Sequence, residues 1–141
     1  MNEKTTTSLI HQIASFETQY LNHALKSLNL NSDQGRAINF IAHHPNSMQR
    51  DIARYLNRQE ASVTNLLKGL VARQLIVRTI PEENERTKIL SLTQAGEDIV
   101  ADIQRAFDQL TELLEAPLSD SEATKLTQLL NTIQLHLKKD E

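Results

Sequence analysis

At 141 residues, 39 % of them hydrophobic and 23 % charged, the chain is sized for one soluble domain with a modest core. The absence of cysteine excludes disulfides, thiol catalysis and cysteine-ligated metal centres, and the three Gly, three Pro and five aromatics argue against an all-β sandwich or barrel. The net charge of −3 hides an uneven distribution: residues 47–93 hold eight Lys/Arg against five Asp/Glu and the rest seven against thirteen, the pattern of a chain that meets a polyanion only through its middle.

Taken in order, residues 5–28 read as an amphipathic helix, with Ile13, Phe16, Tyr20, Leu21, Ala24, Leu25 and Leu28 recurring at three- and four-residue steps. Asn31 with Gln34 forms a capping box for a second helix over 32–44, whose Ala37, Ile38 and Ile41 point inward and which Pro45 ends. A short helix over 48–56 (Ile52, Ala53, Leu56) and another over 60–73 (Val63, Leu66, Leu67, Leu70) are separated by the polar turn Asn57-Arg58-Gln59. The period then changes. Residues 75–80 and 88–92 read as two strands joined by the polar link 81–87, a two-stranded hairpin. Thr93 caps a long helix to about 115, and Ser119 with Glu122 caps a last helix over 120–138 with the stripe Leu126, Leu129, Leu130, Ile133 and Leu137.

This order predicts a mainly α protein with a small two-stranded β-wing: a winged helix-turn-helix lobe over 32–93, an N-terminal dimerisation helix over 1–31 and C-terminal dimerisation helices over 94–141. The end helices carry apolar stripes that a small lobe cannot cover, and packing them across a two-fold axis is the simplest remedy.

In a helix-turn-helix the second helix enters the major groove. On the helix over 60–73, Ala61, Thr64, Asn65 and Lys68 stand at i, i+3, i+4 and i+7 on one outer face. Asn pairs with adenine, Lys reaches guanine or phosphate, and Ala or the Thr methyl contacts the thymine methyl. Ser62 borders this face and is assigned to phosphate. Arg50, Arg54, Arg73 and Arg78 are candidate backbone anchors, and Arg86 and Lys88 lie at the hairpin tip and return strand, where a narrow minor groove attracts Arg.

The run Ile52-Ala53-Arg54-Tyr55-Leu56, then Val63-Thr64, Leu70, Leu75-Ile76-Val77-Arg78, and Arg86 through Leu92-Thr93-Gln94-Ala95-Gly96 resembles the MarR family of bacterial transcription regulators, over nearly the whole chain. The resemblance implies a winged helix-turn-helix homodimer that binds double-stranded DNA at an inverted repeat, as a repressor; the lack of a membrane-spanning run and of a signal-peptide pattern leads one to expect it in the cytoplasm. The resemblance also implies an effector site between the dimer helices and the DNA-binding lobe. His11, Phe16, Tyr20, Phe40, His44 and Phe107 are its aromatic or polar-tipped candidates, suited to a small amphipathic or phenolic ligand. Three departures stand out. Asn84 occupies the place of a family Asp two residues before the wing arginine; Gln74 replaces a turn glycine, so the helix before it is expected to end differently; Arg58 replaces an apolar residue and is assigned to the phosphates.

Two other readings are carried. One is a protein-interaction module on the same scaffold, motivated by the acidic overall charge, Glu82, Glu83 and Glu85 in the wing, and Asn84. The other is a zinc-responsive regulator, although none of the five His forms an H-x-x-x-H pair, and the assignment here is no metal and no cofactor. No nucleophile elbow, Gly-rich phosphate loop or H-E-x-x-H is present, so an enzyme is not expected. No run is apolar enough for a membrane span, and the first residues lack a basic lead into an apolar stretch, so a membrane partner is not expected either.

Overall fold

Asn31 sets the entrance to the lobe. In the computed structural model, which describes residues 4–80 and 88–138, its side chain accepts the Gln34 N–H at 2.8 Å while the Gln34 side chain accepts the Asn31 N–H at 2.9 Å. That reciprocal cap starts α2 (Ser32–His43). The preceding helix, α1 (Thr6–Ala24), is capped by the Thr5 hydroxyl and stops four residues earlier than its apolar spacing suggests. Residues Lys26–Leu28 tighten into a 3₁₀ turn, and Asn29 takes a left-handed conformation with φ 57°. The reason is tertiary. Leu21 and Leu25 are fully buried, and Asn22 accepts the Ser32 N–H at 2.7 Å, so the chain must double back at this point. Gly35 permits the approach, since a Cβ there would collide with Leu25 Cδ1.

After α2, Pro45 and Asn46 (φ 66°) turn the chain into a two-residue strand, β1 (Ser47–Met48). It pairs antiparallel with β3 (Ile89–Leu92), which pairs on its other side with β2 (Ile76–Thr79), giving the order β1-β3-β2. The hairpin therefore gains a third strand, too short to show a period in the sequence. Register places Ser47, Leu90 and Arg78 side by side on one face, with Leu90 fully buried. Between these strands lie α3 (Gln49–Leu56) and α4 (Glu60–Ala72). Asp51 accepts the Met48 N–H at 2.8 Å to start α3, and Asn57 in a left-handed conformation ends it. Ile38, Ile41, Ile52, Val63, Leu67, Leu70, Ile76 and Leu90 form the core of the lobe.

The end of α4 does not depart from a left-handed turn. Gln74 adopts φ 58°, and the Leu75 N–H bonds to Leu70 O at 3.0 Å and the Gln74 N–H to Val71 O at 2.9 Å. The conformation that glycine would take at no cost is imposed on glutamine. What holds it is Thr93. Its hydroxyl donates to Gln74 O at 2.6 Å and accepts the Gly96 N–H at 3.0 Å, and its own N–H donates to Leu75 O at 3.1 Å. The same residue thus caps α5 (Gln94–Glu115), as expected. A Cβ on Gly96 would strike the Leu75 carbonyl oxygen.

The chain divides into two compact units, residues 1–107 and 108–141. In the second, α6 (Asp120–Lys138) begins with the expected capping box. The Ser119 N–H donates to the Glu122 carboxylate at 2.9 Å and, with the Ser119 hydroxyl, holds that carboxyl below the usual carboxylate range, while the Glu122 N–H donates to the Ser119 hydroxyl at 3.2 Å. The α6 stripe Leu126, Leu129, Leu130 and Ile133 is 42–50 % exposed, and so are Leu9, Ile13 and Phe16 on α1, at 43–48 %. Position 69 differs from the other two glycines: a Cβ there meets open space, so packing within the chain does not require glycine.

Three substitutions follow, read as denaturant midpoints at one protein concentration. Gly96→Ala should cost about 1–3 kcal/mol, because backbone cannot yield to the new methyl. Gly69→Ala should add about 1 kcal/mol of helix propensity. Gln74→Gly should stabilise by about 0.5–1 kcal/mol, the relief of a left-handed glutamine less the added freedom of the unfolded chain.

Candidate nucleic-acid interface

The turn between α3 and α4 carries the elements of a helix-turn-helix. Val63, Leu67 and Leu70 face the core. On the opposite side, Ala61, Ser62, Asn65 and Lys68 are exposed and Thr64 is half-buried, so the outer face read from the spacing is presented as one surface. Glu60 lies in the first turn, where its charge complements the helix dipole. The outer positions after it carry no acidic residue until the helix ends.

One residue of this surface was missed by sequence reasoning. Gln49, at the start of α3, donates from Nε2 to the Thr64 hydroxyl at 2.6 Å and, more weakly, to Glu60 O at 3.4 Å. The Thr64 hydroxyl in turn donates to Glu60 O at 2.9 Å. Only contact across the two helices brings positions 49 and 64 together, so no local spacing announces the pair.

The candidate backbone anchors separate into distinct groups. Arg50 and Arg54 are exposed on α3, Lys68 on α4, and Lys88 just before β3. Among the described residues, Arg50, Arg54 and Lys68 make no ion pair. Arg58 instead pairs with Asp33 of α2 at 3.3 Å, so its charge is shared within the lobe. Arg73 is committed to the backbone: its guanidinium donates to Asn29 O at 2.6 Å and Leu28 O at 2.9 Å, closing the end of the 3₁₀ turn. Arg78 is half-buried on the inner face of β2, where its Nε and Nη2 are buried without a hydrogen-bond partner. Arg86, Asn84 and the wing glutamates Glu82, Glu83 and Glu85 lie outside the described residues.

Ring contacts engage five of the six candidate effector residues. Phe16 and Tyr20 pair on α1 with ring centroids 6.2 Å apart. Phe40 stacks on His44 at 4.1 Å and meets Tyr55 at 4.8 Å. Phe107 lies beneath the Arg36 guanidinium at 5.3 Å, and His11 is exposed on α1. None of them lines a cavity of about 350 Å³ formed by Ile41, Ala42, Pro45, Asn46, Ser91, Leu92, Glu97 and Val100. His43 and His44 each direct Nδ1 to a carbonyl one turn back, Asn39 O and Phe40 O. Among the described residues there is no group of three or more His, Asp or Glu placed to hold a metal ion.

Comparison with known proteins bears on this geometry directly. Residues 28–87 match the model of the MarR family. The homoprotocatechuate degradative operon repressor of Escherichia coli is 25 % identical over 130 residues, 92 % of this chain and 87 % of that one. The fold agrees with that of S. aureus MepR in its DNA complex at a TM-score of 0.85 and 27 % identity, over 97 % of this chain and 99 % of that one. It also agrees with the transcriptional regulator SlyA at a TM-score of 0.87 and 21 % identity, covering 93 % and 92 %.

The chain has the winged-helix fold of MarR-family regulators.

MarR-family proteins are DNA-binding transcription regulators, a non-enzymatic class, and the expected winged-helix fold is the one observed. Among the described residues, no helix is long and apolar enough to cross a membrane. At the end of α4, where the resemblance leads one to expect glycine, Thr93 and the Leu70 and Val71 carbonyls hold Gln74 in a left-handed turn.

The geometry separates two arginines that look alike in sequence. Arg73→Ala should lower stability by about 1–2 kcal/mol, because it strips donors from two carbonyls. It should leave the salt dependence of DNA binding close to that of the unaltered protein. Arg54→Ala should do the reverse. Thermal unfolding and a salt titration of duplex binding check both, and the opposite ordering would return Arg73 to the backbone anchors.

Proposed function

We propose that this protein is a sequence-specific regulator that reads an inverted repeat in double-stranded DNA as a homodimer, acts in the cytoplasm, and represses transcription until a small ligand releases it. The observation that carries this reading is the outer face of α4: Ala61, Ser62, Asn65 and Lys68 are exposed together on the second helix of a helix-turn-helix. Its residue types match base edges, with Asn65 for adenine, Lys68 for guanine or phosphate, and Ala61 for a thymine methyl. Arg50, Arg54, Ser62 and Lys88 fix the register by holding phosphates, and Arg86 serves the minor groove. Arg58, Arg73 and Arg78 act secondarily, because each is engaged or half-buried inside the lobe.

The exposed stripes on α1 and α6 support the dimer. Each leucine taken from water contributes about 1.5–3 kcal/mol, and a monomer leaves these on its surface. On this division, residues 1–31 and 94–141 serve dimerisation and 32–93 serves DNA. Two recognition helices then meet successive major grooves about 34–36 Å apart. The relative in Escherichia coli, named as an operon repressor, supports the sign of the output.

The effector is a small amphipathic or phenolic molecule, held by aromatic and polar-tipped residues from the set His11, Phe16, Tyr20, Phe40, His44 and Phe107. A ligand acts only to the extent that it favours one pose of the lobes over another. Thr93 offers the route, because it ties the start of α5 to the end of α4.

Selection of bound fragments from a pool of random duplex DNA, run at two salt concentrations, tests this function. An inverted repeat should be enriched. Asn65→Ala should then relax the preference at one base per half-site by about 1–3 kcal/mol, and Arg54→Ala, which removes one phosphate contact from each protomer, should reduce the salt slope of the dimer by about 2. Fragments without a shared sequence, lost at the higher salt, would favour a scaffold that does not read DNA.

A further inference from the structure

We propose that Gln49 determines what Thr64 reads: it turns the Thr64 hydroxyl into the protein and leaves the threonine methyl as the group offered to DNA, so that the pair selects a thymine. This rests on the DNA-reading function proposed above.

The argument is a count of hydrogen-bonding capacity. A threonine hydroxyl has one proton to give and two lone pairs. In this chain the proton goes to Glu60 O at 2.9 Å, one turn back along α4. One lone pair takes the Gln49 amide at 2.6 Å. The hydroxyl therefore has no donor left for the acceptors N7, O6 or O4 on base edges, and what remains is a single lone pair. The other substituent on the Thr64 Cβ, the methyl group, has no such engagement. Apolar contact with the C5-methyl group is the feature by which thymine is told from every other base in the major groove.

Gln49 is suited to this task by its position. It is the first residue of α3 and lies across from the first turn of α4, so its amide spans the two helices at the end of α4 that meets the bases. Without Gln49, the back-bond to Glu60 O is a weak local preference that a nearby base acceptor can outbid. With Gln49, rotating the hydroxyl outward breaks two bonds at once. Gln49 is in this sense a positioning residue, and Thr64 is the contact it positions.

The test uses the full-length protein and the duplex most enriched in the fragment selection, with each thymine replaced in turn by deoxyuridine, which lacks only the C5-methyl group. For the unaltered protein, one replacement per half-site should weaken binding about fourfold, the equivalent of one buried methyl group. Gln49→Ala and Gln49→Met should abolish that discrimination while the selected site is still bound in preference to unrelated duplex, which a merely structural defect would not allow. Thr64→Val, which keeps the methyl, should retain the discrimination, and Thr64→Ser should lose it. If the unaltered protein binds its selected site specifically but ignores every replacement, or if both Gln49 variants keep the thymine preference, this inference fails while the DNA-reading function stands. If no sequence is enriched at all, both fall together.

Discussion

Thr93 holds three segments at one point. Its hydroxyl gives a proton to the last turn of α4 and takes one from the first turn of α5, and its backbone N–H closes the start of the wing at Leu75. The spacing is tight enough that position 96 has no room for a side chain against the Leu75 carbonyl, and the same joint holds Gln74 in a conformation that costs a non-glycine residue about 1–2 kcal/mol. A recognition helix must sit at a fixed height and rotation, and here the packing of Val63, Leu67 and Leu70 is joined at its C-terminal end by the Thr93 hydroxyl. At its other end the Gln49–Thr64–Glu60 network does the corresponding work.

The distribution of arginines follows from this framework. A chain with a net charge of −3 that is to bind DNA must keep a few cations uncommitted, and the lobe spends others on its own architecture. Arg73 closes a 3₁₀ turn by donating to two carbonyls, and Arg58 pairs with Asp33 across to α2. Arg50, Arg54 and Lys68 are left free of ion pairs among the described residues, and all three are exposed on the two helices of the helix-turn-helix. The basic middle of the sequence is thus partly structural, and its DNA-facing share is smaller than the raw charge suggests.

Much of the fold was legible because its signals are local. The capping boxes at Asn31/Gln34 and Ser119/Glu122, the Thr93 cap and the buried stripe Val63, Leu67, Leu70 all depend on residues within a few positions of one another. What was not legible depends on contacts distant in sequence. The two-residue strand at Ser47 exists only because β3 offers it an edge, and the break after Ala24 exists only because Leu25 must pack against Gly35. Gln74 was expected to change the end of α4 and did not, since Thr93, nineteen residues on, holds the turn. The outer face of α4 follows from helical periodicity alone, whereas Gln49 and the engagement of Arg73 and Arg58 are tertiary facts. Which aromatic side chains meet, Phe16 with Tyr20 and Phe40 with His44 and Tyr55, likewise depends on packing that residue type does not announce.

The central claim is that DNA is met by the outer face of α4 with the start of α3. Titrating uniformly ¹⁵N-labelled protein with its selected duplex and following the backbone amide resonances tests it most directly. The account predicts that the largest shifts fall on Gln49, Arg50, Ala61, Ser62, Asn65 and Lys68, with those of α6 nearly unmoved. Shifts concentrated on α1 or α6, with α4 unaffected at saturating duplex, would contradict it.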